Sequence, residues 1–160
     1  MSTSLIPAAL MGVGVSSIFV GGVFLAFSDF VMRGLDQAGD EAATLAMQGI
    51  NRTVLRSVFL LQFFLLLPAF SALAWWSWAT GMESRWLIAA SALVYVVGCF
   101  VVTVAGNVPM NNRLAAMSAS DAENSGYWQV YLHRWTRLNH VRTLACLLAG
   151  VGSLLAVSPL

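Results

Sequence analysis

Lysine is absent from this chain, and charge of either sign is scarce. Eight arginines face seven acidic residues, so only 9% of 160 residues are charged and the formal net charge is +1. A soluble domain carries about 25% charged residues, and this chain has too few to coat a surface facing water. Without a basic patch it is not a nucleic-acid binder. Cysteine is nearly absent too. Cys99 and Cys146 each lie in a long apolar run and no CxxC spacing exists, which excludes zinc-ribbon and thioredoxin-like motifs and reads as two small buried thiols. Strict period-two alternation is missing, so a β-barrel is excluded, and no internal repeat is visible.

Apolar residues dominate instead, at 59%, with a mean hydropathy of +0.78. Four stretches reach the length of about 20 residues that crosses a bilayer: residues 5–30, 54–79, 86–104 and 138–157. A cleaved leader is not expected of the first, because no basic segment precedes it and its run is too long. Only helices satisfy their backbone in lipid without partners. The expected fold is therefore all-α: an integral membrane antiparallel four-helix bundle in one domain over 1–160.

Seven arginines (Arg33, Arg52, Arg56, Arg113, Arg134, Arg137, Arg142) flank the first and third connections, against Arg85 alone in the second. The positive-inside rule then places loops 31–53 and 105–137 in the cytoplasm and both termini outside, in a membrane of the bacterial inner-membrane kind. Gly39-Asp40-Glu41 marks a helix start that reads on into the second span, and Ser120-Asp121-Ala122-Glu123 fits a capping box. Helices two and four are thus expected to project on the cytoplasmic side by about three to five turns. Pro68 should kink the second helix, and Asn107-Val108-Pro109 should end the third. Trp75, Trp76, Trp78 and Trp86 form an aromatic belt around the outer connection.

Polar side chains collect at the opposite end. All six asparagines, both histidines and Asp29 fall on the side assigned to the cytoplasm. Asp29, Asn51, Asn107, Asn139, His140 and Arg142 come to one membrane depth, where polar groups face the bundle interior or a water-filled cavity. A headgroup-level polar rim accounts for most of the arginines taken singly, and Asp29 and Arg33 are spaced to pair. His140 shares a helical face with Thr143, Leu144 and Leu147 and is expected to point into the bundle, with His133 peripheral. The two histidines are seven residues apart, about 10 Å along a helix, so no single ion takes both. Trp128 and Trp135 are placed to wall a pocket for a planar ligand.

Four segments, in this order and spacing, resemble the anthrone oxygenase family of small membrane proteins. They run from Gly21 to Met32, from Met47 to Arg52, from Asn107 to Asn111 and from Trp135 to Thr143. The resemblance implies oxidation of an anthrone-like lipophilic aromatic by molecular oxygen. Carried over by position, it highlights Asn51, Asn107, Asn111, Asn139, His140 and Arg142, the expected catalytic set, but marks no substrate residue. Phe27, Asp29, Trp128 and Trp135 are expected to bind substrate from their place at the polar end alone. A histidine of pKa near 7 suits a general base, and amide and guanidinium donors suit a developing anion. Such chemistry runs without a cofactor. A metal (copper or iron) held by His140 and Asp29, or a haem on His140, stays open beside it. The partners expected are membrane lipid, a small aromatic substrate and oxygen, with a homo-oligomer allowed. The competing class is a non-enzymatic membrane module that binds a ligand, metal or haem, or serves as an accessory subunit.

Overall fold

A computed structural model describes residues 5–120 and 122–157, with side chains described for all of these except 122–125. The described chain is helical, and no strand occurs among its residues. α1 spans Leu5–Asp36, α2 Asp40–Val54, α3 Val58–Ala79, α4 Arg85–Ala115 and α5 Ala122–Leu155. Four of these helices, all but α2, are long and apolar enough to cross a membrane. Their outer faces carry exposed Leu61, Leu65, Leu93, Leu144 and Leu148, as lipid contact requires.

Two expected boundaries are corrected. The helix beginning at Asp40 does not read through into the second span, because it breaks at Leu55–Ser57. Ser57 is the cause: its hydroxyl donates to the Val54 carbonyl at 2.7 Å and accepts the Leu60 amide at 3.1 Å. That local bonding competes with the helical ladder and caps a new helix. In the other direction, α4 does not stop at Asn107. It runs through Pro109 to Ala115 after two π-helical stretches, Tyr95–Val101 and Thr103–Asn107. Pro109 comes just after the second stretch, where the Val108 amide still bonds five residues back to the Thr103 carbonyl and the ladder is already out of α register. The expected capping box at Ser120–Glu123 lies partly outside the described residues.

α5 is the central strut, packed against α1, α2 and α4, while α3 packs against α1 and α4. Its buried positions Trp128, Tyr131, Trp135, Asn139, Arg142, Cys146, Ala149 and Ser153 recur every three or four residues, the spacing of one helix face. Small residues set the close α1–α5 approach. A Cβ on Gly14 would lie 2.9 Å from the Gly150 carbonyl, and one on Gly21 would lie 3.0 Å from the Cys146 Cβ. Three apolar clusters stack along the bundle. Leu10, Ile88 and Ala156 hold one end; Phe24, Phe63, Phe70 and Tyr95 hold the middle. Met32, Met47, Leu114, Trp128 and Tyr131 hold the other end, under α2.

Candidate functional site

Between the middle cluster and the cluster under α2 lies a cavity of about 280 Å³. Aromatic and aliphatic side chains from all five helices form most of its wall, chiefly Phe24, Phe27, Phe59, Phe63 and Trp135. A second, more open groove of about 370 Å³ lies between α1 and α3, and no charged side chain lines it. In a bilayer that groove is lipid surface. The first cavity combines apolar walls with a few convergent polar groups, which is the usual makeup of a ligand site.

Arg142 is the dominant polar group of the wall. It is 5% exposed, and its place within a membrane-spanning helix makes that burial costly. Its guanidinium carbon sits 4.2 Å from the Phe24 ring centre and 5.1 Å from that of Trp135. One terminal nitrogen donates to the Asn139 Oδ1, and the other reaches the Thr103 hydroxyl at a long 3.4 Å. The Nε hydrogen has no partner. No carboxylate lies within ion-pairing distance of it among the described residues. A buried guanidinium with aromatic faces, one amide and no counter-ion is left with donor capacity to spare.

Asn139 holds this arginine in place. Its Nδ2 donates to the Phe24 carbonyl at 2.6 Å and to the Ser28 hydroxyl at 2.5 Å, so its oxygen is turned to the guanidinium. Asn111 is oriented by the same logic. Its Oδ1 accepts from the Tyr131 hydroxyl at 2.8 Å and from the Trp135 Nε1 at 2.9 Å. Two donors on one atom identify it as the oxygen, which turns the NH2 group of Asn111 to the cavity it lines. Asn51, also in the wall, has a buried Nδ2 without a partner. Gln48 spends its amide on the carbonyls of Leu114 (2.8 Å) and Met117 (3.1 Å), pinning α2 as a roof. The polar wall is thus rich in donors. No Asp, Glu, His, Cys or Tyr lines the cavity among the described residues.

Five of the expected site residues therefore meet at the wall: Asn51, Asn111, Arg142, Trp135 and Phe27. Asn139 and Asn107 stand behind it. The Asn107 Nδ2 donates to the Trp135 carbonyl at 3.3 Å, while its Oδ1 lacks a partner. Trp128 does not wall the cavity. It stacks on Tyr131 at 5.8 Å and donates its indole hydrogen to Asp36 at 3.0 Å. Asp29, expected to bind substrate, does not line the cavity. Its side chain is 64% exposed and ion-paired with Arg33 at 2.8 Å.

His140 is the largest correction. It is exposed and absent from the cavity wall, not pointed into the bundle. The inward face of α5 runs through Asn139, Arg142 and Cys146, and one residue beyond Asn139 is a rotation of about 100° away from that face. His133 is exposed as well, its Nδ1 2.8 Å from the Gln129 carbonyl. Among the described residues no three His, Cys, Asp or Glu side chains cluster as a metal site. Thr103, Gln48 and Phe24 are among the wall residues that went unanticipated. A single threonine or phenylalanine within an apolar run carries no signal, and Gln48 offered only its place beside Asn51.

A family model described as anthrone oxygenase matches residues 54–152, about three-fifths of the chain and most of the cavity wall. No curated protein and no solved structure matches the chain significantly.

Proposed function

Because the chain belongs to the anthrone oxygenase family, we propose that it is a membrane oxygenase whose cavity binds a flat, lipophilic aromatic as its oxyanion. The observation that carries this is Arg142, a buried guanidinium beside an apolar cavity and without a counter-ion among the described residues. A bound phenolate or enolate oxygen is the partner it lacks, and charge-assisted bonds of this kind are the strong ones. Asn51 and Asn111 add neutral donors for further oxygens on the same ring system.

Among the described residues the wall holds no imidazole and no carboxylate, so proton removal is not assigned to His140. The substrate enters already ionised, or loses its proton to water at the mouth beside the exposed Arg52 and Asn112. The enolate carbanion then passes an electron to oxygen, and the two radicals combine to form a carbon–oxygen bond. Protonation gives a hydroperoxide. Loss of its remaining C–H proton with departure of hydroxide yields the ketone and water. The sum is CH2 plus O2 to C=O plus H2O. Arg142 holds the ring oxyanion throughout. The electron-rich carbanion supplies the reducing power in this scheme, which needs no resident metal or haem.

In the membrane, the arginine asymmetry supports an antiparallel bundle with α2 and the start of α5 on the cytoplasmic side. Close pairs such as Gly14 with Gly150 and Gly21 with Cys146 fit that arrangement. The test is oxygen uptake by the purified protein in lipid vesicles given an anthrone, with metal analysis and an absorbance spectrum on the same sample. One oxygen consumed per quinone formed, lost in Arg142→Met, is the expected result. Tight quinone binding without oxygen uptake would assign the cavity to a binding module. Stoichiometric copper or iron, or a Soret band, would overturn the cofactor-free scheme.

A further inference from the structure

One pair of reactive groups has no part in that scheme. Cys99 on α4 and Cys146 on α5 are both free and fully buried, and their sulfurs lie 3.3 Å apart. The residues just before them explain the approach. A Cβ on Gly98 would sit 2.7 Å from the Ala145 Cβ, so the absence of that one methyl lets the two helices come together there. Thiols scattered through an apolar core meet carbon. These two meet each other.

We propose that Cys99 and Cys146 are a redox-active dithiol that closes to an interhelical disulfide when a lipid-soluble quinone oxidises it. Two S–H bonds break and one S–S bond forms; two electrons and two protons pass to the quinone, which leaves as the hydroquinone. A disulfide is about 2.03–2.05 Å long, so the sulfurs need close a gap of only about 1.3 Å. Neither sulfur is exposed at the surface, to water or to lipid, so the quinone reaches them from the surrounding bilayer only when α4 and α5 part at this point. Cys99 lies in the π-helical stretch Tyr95–Val101, where the hydrogen-bond ladder is least regular.

The pair is also wired to the cavity. Thr103, in the cavity wall, donates to the Cys99 carbonyl at 2.7 Å. Arg142 lies four residues before Cys146, one turn along the same helix. Closing the disulfide therefore draws on two residues of the ligand wall, and the oxidised form should differ in ligand affinity. This inference is independent of the oxygenase reading.

The experiment uses the full chain in phosphatidylcholine vesicles treated with a decyl-substituted benzoquinone. The sample is then quenched in acid, denatured and alkylated with N-ethylmaleimide. The expected intact mass is that of the chain less two hydrogens, without maleimide adducts. One hydroquinone should appear per protein, with a linked peptide pair containing Cys99 and Cys146. Cys99→Ser and Cys146→Ser should each abolish hydroquinone release. Wild-type protein that stays doubly alkylated at every quinone concentration would overturn the proposal without recourse to variants. So would a quinone adduct on either sulfur, or disulfides found only between chains.

Discussion

Replacing Arg142 with methionine is the sharpest perturbation of the site. Two effects on folding oppose each other. Removing a guanidinium from a membrane-spanning helix relieves a cost of about 2.5–3.5 kcal/mol on insertion scales. Against that, the Asn139 Oδ1 loses its partner, and an orphaned buried acceptor costs about 1–3 kcal/mol. Methionine refills the space beside Phe24 and Trp135, so the net change in stability should lie between about 2.5 kcal/mol of gain and about 0.5 kcal/mol of loss. Binding is a different matter. A hydrogen bond to a charged group contributes about 1.5–3 kcal/mol, and tenfold in affinity is about 1.4 kcal/mol, so a phenolate ligand should bind about 10–150-fold more weakly. The assay is quenching of tryptophan fluorescence by a hydroxyanthraquinone, titrated at a pH where its phenol is ionised. Its O-methylated, uncharged analogue provides the control and should bind wild type and variant alike. Equal affinity of both proteins for the phenolate would refute the role of Arg142. An equal loss for the neutral analogue would reduce that role to packing.

Asn111→Leu should cost about 2–6 kcal/mol, because the Tyr131 hydroxyl and the Trp135 indole both lose their acceptor at about 1–3 kcal/mol each; thermal unfolding in detergent reads this. Asn111→Asp keeps the acceptor and should fold, yet bind the phenolate more weakly because a carboxylate now faces it. His140→Ala should change oxygen uptake by no more than about twofold, the scale of an exposed substitution, and a loss beyond tenfold would return the histidine to the mechanism. Gly150→Ala should destabilise by about 1–3 kcal/mol through overpacking, since the added methyl would meet Ile18 at 2.6 Å and the Gly14 carbonyl at 2.8 Å. An unchanged unfolding temperature would mean that α1 and α5 are less tightly apposed than described.

The class of the fold was legible from composition alone, because a chain with 9% charge and four long apolar runs has no other way to satisfy its backbone. The residue types of the site were legible as well: amides and a guanidinium at membrane depth are too expensive to be incidental. Which of them face inward was not. Asn139, His140 and Arg142 are near neighbours in sequence, and a helix turns each by about 100° from the next. The packing of α5 on α1 and α4 chose the face holding Asn139 and Arg142 and left His140 outside. Helix continuity was equally undecided. The break at Leu55–Ser57 rests on one hydroxyl bonding to its own backbone, and the passage of α4 through Pro109 rests on the π-helical stretches before it. The amino-acid sequence by itself determined that the chain crosses a membrane, where its polar end lies and which donors gather there. Only the tertiary structure decided which of those donors open onto the cavity, and that Cys99 and Cys146 meet, because both depend on helix rotation and on the close approach that Gly98 allows.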